Sequence, residues 1–308
     1  MRRQGSGGRV RGAPLLVLLL LAASAAPASG QAVVLIHHSR DDVDPFGVAL
    51  RQGDSFSARY AHVAAGAGRF DYPTFVADGL NPIVALPVPA QPYAGTLDAY
   101  AAGFAARAAA PAGATLAVQA IPDGKEVRVE VGVAPGQGLE PVRLWVAITE
   151  DHVRYIADSA ISNGVEDHRF TVRAIVDGGL VEGPANRTFR LLAGDWDPDF
   201  VSAAAWLQAE PNAVRLAPHE AVQAASAKLG APATVQASKA VLLELYSATW
   251  CDPCLYGDLA MEELAVRHAG ASKEAPPAKG YYRAPDSVLV FAVAAVGGLA
   301  FALVGRRR

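Results

Sequence analysis

Residues 241–255 read VLLELYSATWCDPCL: an apolar run, a short polar turn, then Trp250-Cys251-Asp252-Pro253-Cys254 leading into a segment of helical composition. Val241–Ser247 is an apolar run of strand type. The chain has only two cysteines, both in this stretch and two residues apart. That spacing lets two thiols close a small ring at the start of a helix. The partial positive charge of a helix N-terminus favours a thiolate there, so the first sulfur is placed to act as a nucleophile near neutral pH. An inert staple is the plainer reading, but closing so short a loop removes little entropy from the unfolded chain.

The strand–Trp-Cys-x-Pro-Cys–helix unit resembles the active site of the thioredoxin superfamily. The resemblance implies that Cys251 attacks a substrate disulfide, that Cys254 resolves the mixed disulfide, and that Trp250 shields the sulfurs. It also implies a buried acid that moves protons, for which Glu244 is the candidate. Asp252 places a negative charge beside the sulfurs, which opposes the thiolate and makes the pair less oxidising. A thioredoxin-like fold needs most of its sheet after this unit, yet only a helix, a linker and an apolar tail follow.

The missing pieces are sought at the other end of the chain. Val33–Ser39 is a continuous apolar run, as in a central strand. Asp54–Val63 carries Phe56, Tyr60 and Val63 at helical spacing. Phe70–Gly79 holds a Pro-Thr step before a short apolar run. In the superfamily a cis proline precedes such a strand and lies against the cysteine pair, and Pro73 takes that place. Ile83–Pro89 supplies an edge strand. Thr96–Ala109 is an amphipathic helix with Thr96 as N-cap and Leu97, Tyr100, Phe104 and Ala108 on one face. The expected fold class is therefore α/β plus all-β. The thioredoxin-like domain is circularly permuted and built from residues 32–112 and 231–270, the two ends of the mature chain.

Residues 113–230 fall between these parts. Thr115–Ala120, Glu126–Val133, Val142–Thr149, Arg169–Val176, Arg187–Leu192 and Phe200–Leu207 are strand-like and separated by Gly- and Pro-containing turns. Val127, Val129 and Val131 alternate with Arg128 and Glu130. The pattern predicts an inserted antiparallel β-sandwich, which resembles an immunoglobulin-like domain. Trp145 and Trp206 are read as core. Pro218–Leu229 has a helical composition.

The ends set the expected location. Arg2, Arg3, Arg9 and Arg11 precede the apolar run Leu15–Ala22, so residues 1–31 read as a signal peptide cleaved between Ala28 and Ala32. Residues 271–286 form a linker, 287–305 a transmembrane helix, and 306–308 a basic tail that faces the cytoplasm. The body is then extracytoplasmic, where a disulfide is permitted. Setting aside the seven arginines of the leader and tail, the formal charge of −3 becomes −10 on residues 31–305. An acidic exterior domain is a poor nucleic-acid binder.

These features predict a membrane-anchored thiol–disulfide oxidoreductase acting on protein thiols and disulfides, without a cofactor. Its single cysteine pair requires a separate redox partner to reset it. Two other readings use the same residues. His37 and His38, at the end of the central strand, together with Cys251 and Cys254, make a donor set suited to copper or zinc, although strand alternation points only one of the histidines inward. Alternatively, the β domain makes a surface binding protein and the redox pair is vestigial. Asp195, Asp197 and Asp199 alternate as in a calcium loop, but the ligand pattern is incomplete. Asn186-Arg187-Thr188 is a glycosylation sequon. There is no phosphate-binding Gly loop, GxSxG elbow or HExxH motif.

Overall fold

The computed structural model describes residues 31–38, 73–84, 92–156, 165–192, 194, 196–248, 254–271 and 282–283. The expected signal peptide, the Asp54–Val63 helix, the membrane span and the basic tail lie outside the described residues. So do Trp250 and Cys251. Among the described residues no helix is long and apolar enough to cross a membrane.

The described part is mostly β-sheet with two helices. The strands run β1 (Gln31–His38), β2 (Thr74–Ala77), β3 (Leu80–Val84), then helix α1 (Pro92–Ala108). The inserted region gives β4 (Ala114–Asp123), β5 (Glu126–Pro135), β6 (Val142–Glu150), β7 (Val153–Ile156), β8 (Asp167–His168), β9 (Thr171–Val181), β10 (Ala185–Leu192), β11 (Val201–Ala209) and β12 (Ala221–Lys228). After β13 (Thr234–Gln236) come β14 (Ala240–Ser247), helix α2 (Cys254–His268) and β15 (Tyr282–Arg283).

The chain's two ends meet in one sheet. β1 and β14 are parallel and paired along their whole length, from Gln31 opposite Ala240 to His38 opposite Ser247. β2 adds antiparallel to β14, and β3 antiparallel to β2. Both apolar runs are buried on both faces because something covers each side. On one side Val34, Ile36, Leu243 and Leu245 pack against α1 and α2 through Tyr100, Phe104, Met261 and Leu264. On the other, Val33, Leu35, Ala240 and Leu242 pack against Trp206, Ala204, Ala221 and Ala224.

That second contact departs from the expected separation of the inserted domain. The larger sheet is continuous, with eight strands in the order β12-β11-β6-β9-β1-β14-β2-β3. Its far edge curls back so that β12 lies against β1 and β14. The alanines of β11 and β12 permit the close approach, and Trp206, fully buried, fills the concave interior. The four-stranded sheet β10-β5-β4-β13 packs on the outer face of β6, β11 and β12. Val127, Val129 and Val131 enter that interface, while Arg128 and Glu130 lie outside it, as their alternation predicts.

Several local expectations change. Within Pro218–Leu229, whose composition is helical but whose state the sequence leaves open, Ala221–Lys228 forms strand β12, because it pairs with Ser202–Gln208 of β11 and buries alanines on both sides. Tertiary burial overrides alanine's helix preference here. Helix α1 starts at Pro92, so Thr96 is not its cap but a buried residue in its second turn. Proline suits a first turn, whose N–H groups lack intrahelical partners. The edge strand β3 begins at Leu80, ahead of the expected Ile83. Asp78-Gly79 forms the two-residue hairpin turn before it, with φ of 51° and 71°, the left-handed pair such a turn requires. A Cβ on Gly79 would lie 2.1 Å from the His219 carbonyl oxygen, so only glycine fits.

Candidate functional site

Strands β1 and β14 end side by side, and the chain leaves β14 toward the cysteine motif. Helix α2 begins at Cys254. Cys254 is fully buried, packs with Ala248, and carries no free thiol. The buried stripe continues through Gly257, Met261, Leu264 and Ala265, the i, i+3, i+4 pattern of a helix laid on a sheet.

Pro73 and Tyr100 meet α2 one turn after Cys254. A Cβ built on Gly257 would stand 3.0 Å from Pro73 Cβ and 3.2 Å from the Tyr100 hydroxyl. The glycine therefore lets the proline and the tyrosine approach the helix. Pro73 is buried. Tyr100 is fully buried and stacks on Phe75, with ring centroids 4.2 Å apart and planes 12° apart. Burial, then the charge of Asp258, pushes its phenol well above the ordinary value. In the sequence Tyr100 is one of four residues, with Leu97, Phe104 and Ala108, on the apolar face of a helix. Its hydroxyl aimed at α2 is visible only in three dimensions.

Glu244 is fully buried in β14. Its Oε1 is 3.1 Å from His37 Nε2 and accepts from the Tyr246 hydroxyl at 3.3 Å, while the His37 and Tyr246 rings stack at 4.7 Å. Alternation along β14 decides its direction. Leu243 and Leu245 face α2, whereas Ala240 and Leu242 face β11 and β12. Glu244 shares the second side, so its carboxylate points away from the helix that carries Cys254.

His37 and His38 are both buried, contrary to the expectation that one would point outward. The reason is that β1 is central and covered on both faces. Alternation separates them: His37 joins Glu244, and His38 lies on the α2 side. The His38 ring meets His168 edge-on with centroids 5.0 Å apart. Burial is the main force holding His38 well below the ordinary histidine value, and His168 and other nearby charges add to it. Burial likewise lowers His168 to about 4, against the charge of Asp167. A pocket of about 30 Å³ beside them is bounded by His38, His168, Asp258 and Glu262 among others. No group of three or more metal-donor side chains is assembled among the described residues.

The other candidates stand in turns and edges. Asp197 uses its carboxylate to accept the Asp199 N–H at 3.2 Å, and its own N–H donates to Glu150; Asp195 lies outside the described residues. Asn186 and Thr188 are exposed on β10, an edge strand. Missed by sequence reasoning was a buried ionic cluster. Asp78 accepts from Lys239 Nζ at 2.8 Å, Arg107 Nε at 3.1 Å and the Leu242 N–H at 2.8 Å; Arg107 also pairs with Glu220. These residues come from four separated segments, so no local signal marks them.

No family model matches the chain, and no curated protein matches it. Among solved structures it is similar to HBP35 of Porphyromonas gingivalis, at 12% identity and a TM-score of 0.35, over 43% of this chain and 45% of that one. The alignment thus spans less than half of either chain.

Proposed function

We propose that this protein is a thiol–disulfide oxidoreductase of thioredoxin-like type, with its redox domain permuted and closed around an inserted immunoglobulin-like β region. Cys251 is the nucleophile, Cys254 the resolving cysteine, and Trp250 the shield over the sulfurs. The observation that carries this reading is the convergence of Pro73 and α2. A proline just ahead of a short strand sits one helical turn from a buried cysteine at the first position of a helix. The parallel pairing of β1 with β14, followed by antiparallel β2 and β3, supports the joining of both chain ends into one domain.

The chemistry follows from this arrangement. In this reading Cys251, which precedes the helix in sequence, is the sulfur that attacks the substrate. Cys254, within the first turn and fully buried, reacts only with a sulfur brought to it by Cys251. A buried second thiol in fixed geometry converts release of the bound substrate into an intramolecular step. The reading places the body outside the cytoplasm, tethered by residues 287–305, where an oxidised pair persists.

The test is a redox titration across thiol/disulfide buffers, with the state of both cysteines read by alkylation and mass. A reversible two-electron transition between about −120 and −270 mV is expected. Disulfide exchange that survives Cys251→Ser would overturn the assignment.

A further inference from the structure

We propose that the cavity beside the first half of β1 receives an extended segment of another polypeptide, which adds to the open edge of β1 as a strand. The proposal stands on the fold and not on the redox reading, because the cysteine motif follows the opposite end of the β1–β14 pair.

One edge of β1 is paired along its whole length with β14. The other edge is paired at one point, Ile36 opposite Thr171 of β9, where the Ile36 N–H donates to the Phe170 carbonyl at 3.0 Å. Successive residues of a strand direct their N–H and C=O groups to alternate edges. Ala32 and Val34 therefore direct theirs to the same edge as Ile36. Among the described residues no strand pairs with that edge ahead of Ile36, and no backbone bond outside the ladders reaches Ala32 or Val34. The cause is local. Phe170, just ahead of β9, has a φ of 49°, and this left-handed step turns the incoming chain away, so β9 offers nothing opposite Ala32 or Val34. Both residues are nevertheless buried, at 6% and 5% exposure. Buried backbone groups in folded proteins are nearly always paired, because leaving them unpaired is costly.

The open edge borders a cavity of about 530 Å³, within the usual range of ligand sites, about 300–1,000 Å³. Thr149, Ser202, Ala204 and Ser226 line it from β6, β11 and β12, and residues 269–271, past the end of α2, close another side. A second cavity of about 250 Å³ shares Ala32, Val33 and Ser226 with it and extends to Gln31. The walls are small side chains, which leave width for one more strand. The open edge from Gln31 to Leu35 is about 16 Å long at roughly 3.3 Å per residue, the span of about five residues of a partner. Donors and acceptors repeated at strand spacing select another backbone, as in recognition by strand addition.

Charge narrows the partner further. On the cavity wall Arg169 pairs with Asp151, His152 pairs with Asp167, and Asp199 is engaged as well. Lys228 stands opposite Ser202 in the β11–β12 register, is exposed, and has no ion-pair partner among the described residues. The uncommitted charge at this site is therefore positive. It suits a segment of small or β-branched side chains that carries an acidic residue, with the charge pair fixing orientation more than affinity.

The experiment titrates the full-length chain with a fluorescein-labelled hexapeptide of alternating valine and serine that ends in glutamate, read by fluorescence polarisation. Saturable binding below about 1 mM is expected. Val34→Pro removes the N–H that faces the cavity and spares the ladder to β14, a position where a strand tolerates proline. It should weaken binding about tenfold, the value of one hydrogen bond at the upper end of its range, while Val34→Ala keeps the N–H and should bind within about threefold of the parent. Ser202→Trp fills the cavity from β11 and should abolish binding, with the fold of each variant checked by circular dichroism. Hydrogen exchange at the Val34 amide should slow when the peptide is added. No saturation by the parent chain would overturn the proposal. So would parental affinity in Ser202→Trp, or equal binding of the peptide with its backbone nitrogens methylated. A Val34 amide already protected without peptide would overturn it too, since the chain itself or a second copy then covers the edge. The peptide carries no cysteine, so these outcomes leave the redox reading to its own test.

Discussion

Pro73 lies against Gly257, so close that a Cβ on the glycine would fall 3.0 Å from the proline Cβ. The proline precedes β2, near the start of the described chain, and the glycine belongs to α2, near its end. Their contact fixes how the two halves of the candidate redox domain close.

Gly257→Ala therefore tests the closure. In an open helix the change stabilises by up to about 1 kcal/mol. Here the methyl group meets a rigid ring, and overpacking of this kind costs about 1–3 kcal/mol. Gly95→Ala, in α1 with nothing within 4 Å of the new methyl, is the matched control. Urea denaturation should move the two variants in opposite directions. Stabilisation by both would show that Pro73 yields without cost.

The buried cluster around Asp78 joins segments distant in sequence. Asp78 sits at the hairpin turn, Arg107 on α1, Glu220 before β12 and Lys239 before β14. Asp78→Ala leaves the Lys239 ammonium and the Arg107 guanidinium facing a buried space. Breaking a buried ion pair by removing one partner costs about 3–5 kcal/mol. Chemical denaturation checks this. A loss below about 1 kcal/mol would mean that water reaches the cluster and screens it.

His168 makes stability depend on pH in a defined window. Its folded-state value is lowered to about 4, from an unfolded value of 6.5. Below pH 6.5 the unfolded chain takes up a proton that the folded chain refuses until about pH 4. This contribution is therefore complete above pH 6.5, is lost as pH falls toward 4, and levels off below. The difference corresponds to about 3 kcal/mol. His38, lowered in the same direction, adds to the slope. His168→Gln should flatten the profile measured by urea denaturation between pH 7.5 and 4; an unchanged slope would remove His168 as its cause.

The contact of His37 with Glu244 predicts strong coupling. Both are buried, and their side chains meet at 3.1 Å. A double-mutant cycle with His37→Ala and Glu244→Ala should give an interaction energy of about 0.5–3 kcal/mol. Additive losses would show that each is held by other partners instead.

Composition and pattern determined a good deal by themselves. The apolar run at Val33 announced a central strand, since a strand covered on both faces reads as continuously apolar, and the run at Val241 announced the strand ahead of the cysteine motif. Alternation at Val127–Val131 set the faces of β5. The Cys-Asp-Pro-Cys spacing located the start of α2. These features are local, and the rules that govern them act within a few residues.

Tertiary structure decided the rest. Whether Glu244 faces the cysteine helix depends on strand parity relative to packed neighbours. Both β1 histidines are buried because the curled sheet covers a face that alternation alone leaves open. β12 is a strand although its alanines favour a helix, because pairing with β11 and burial on two sides outweigh intrinsic propensity. The Asp78 cluster, the Pro73–Gly257 contact and the approach of Tyr100 to α2 each join residues far apart in the chain. Such contacts form only when folding brings distant segments together, and no short stretch of sequence encodes that juxtaposition.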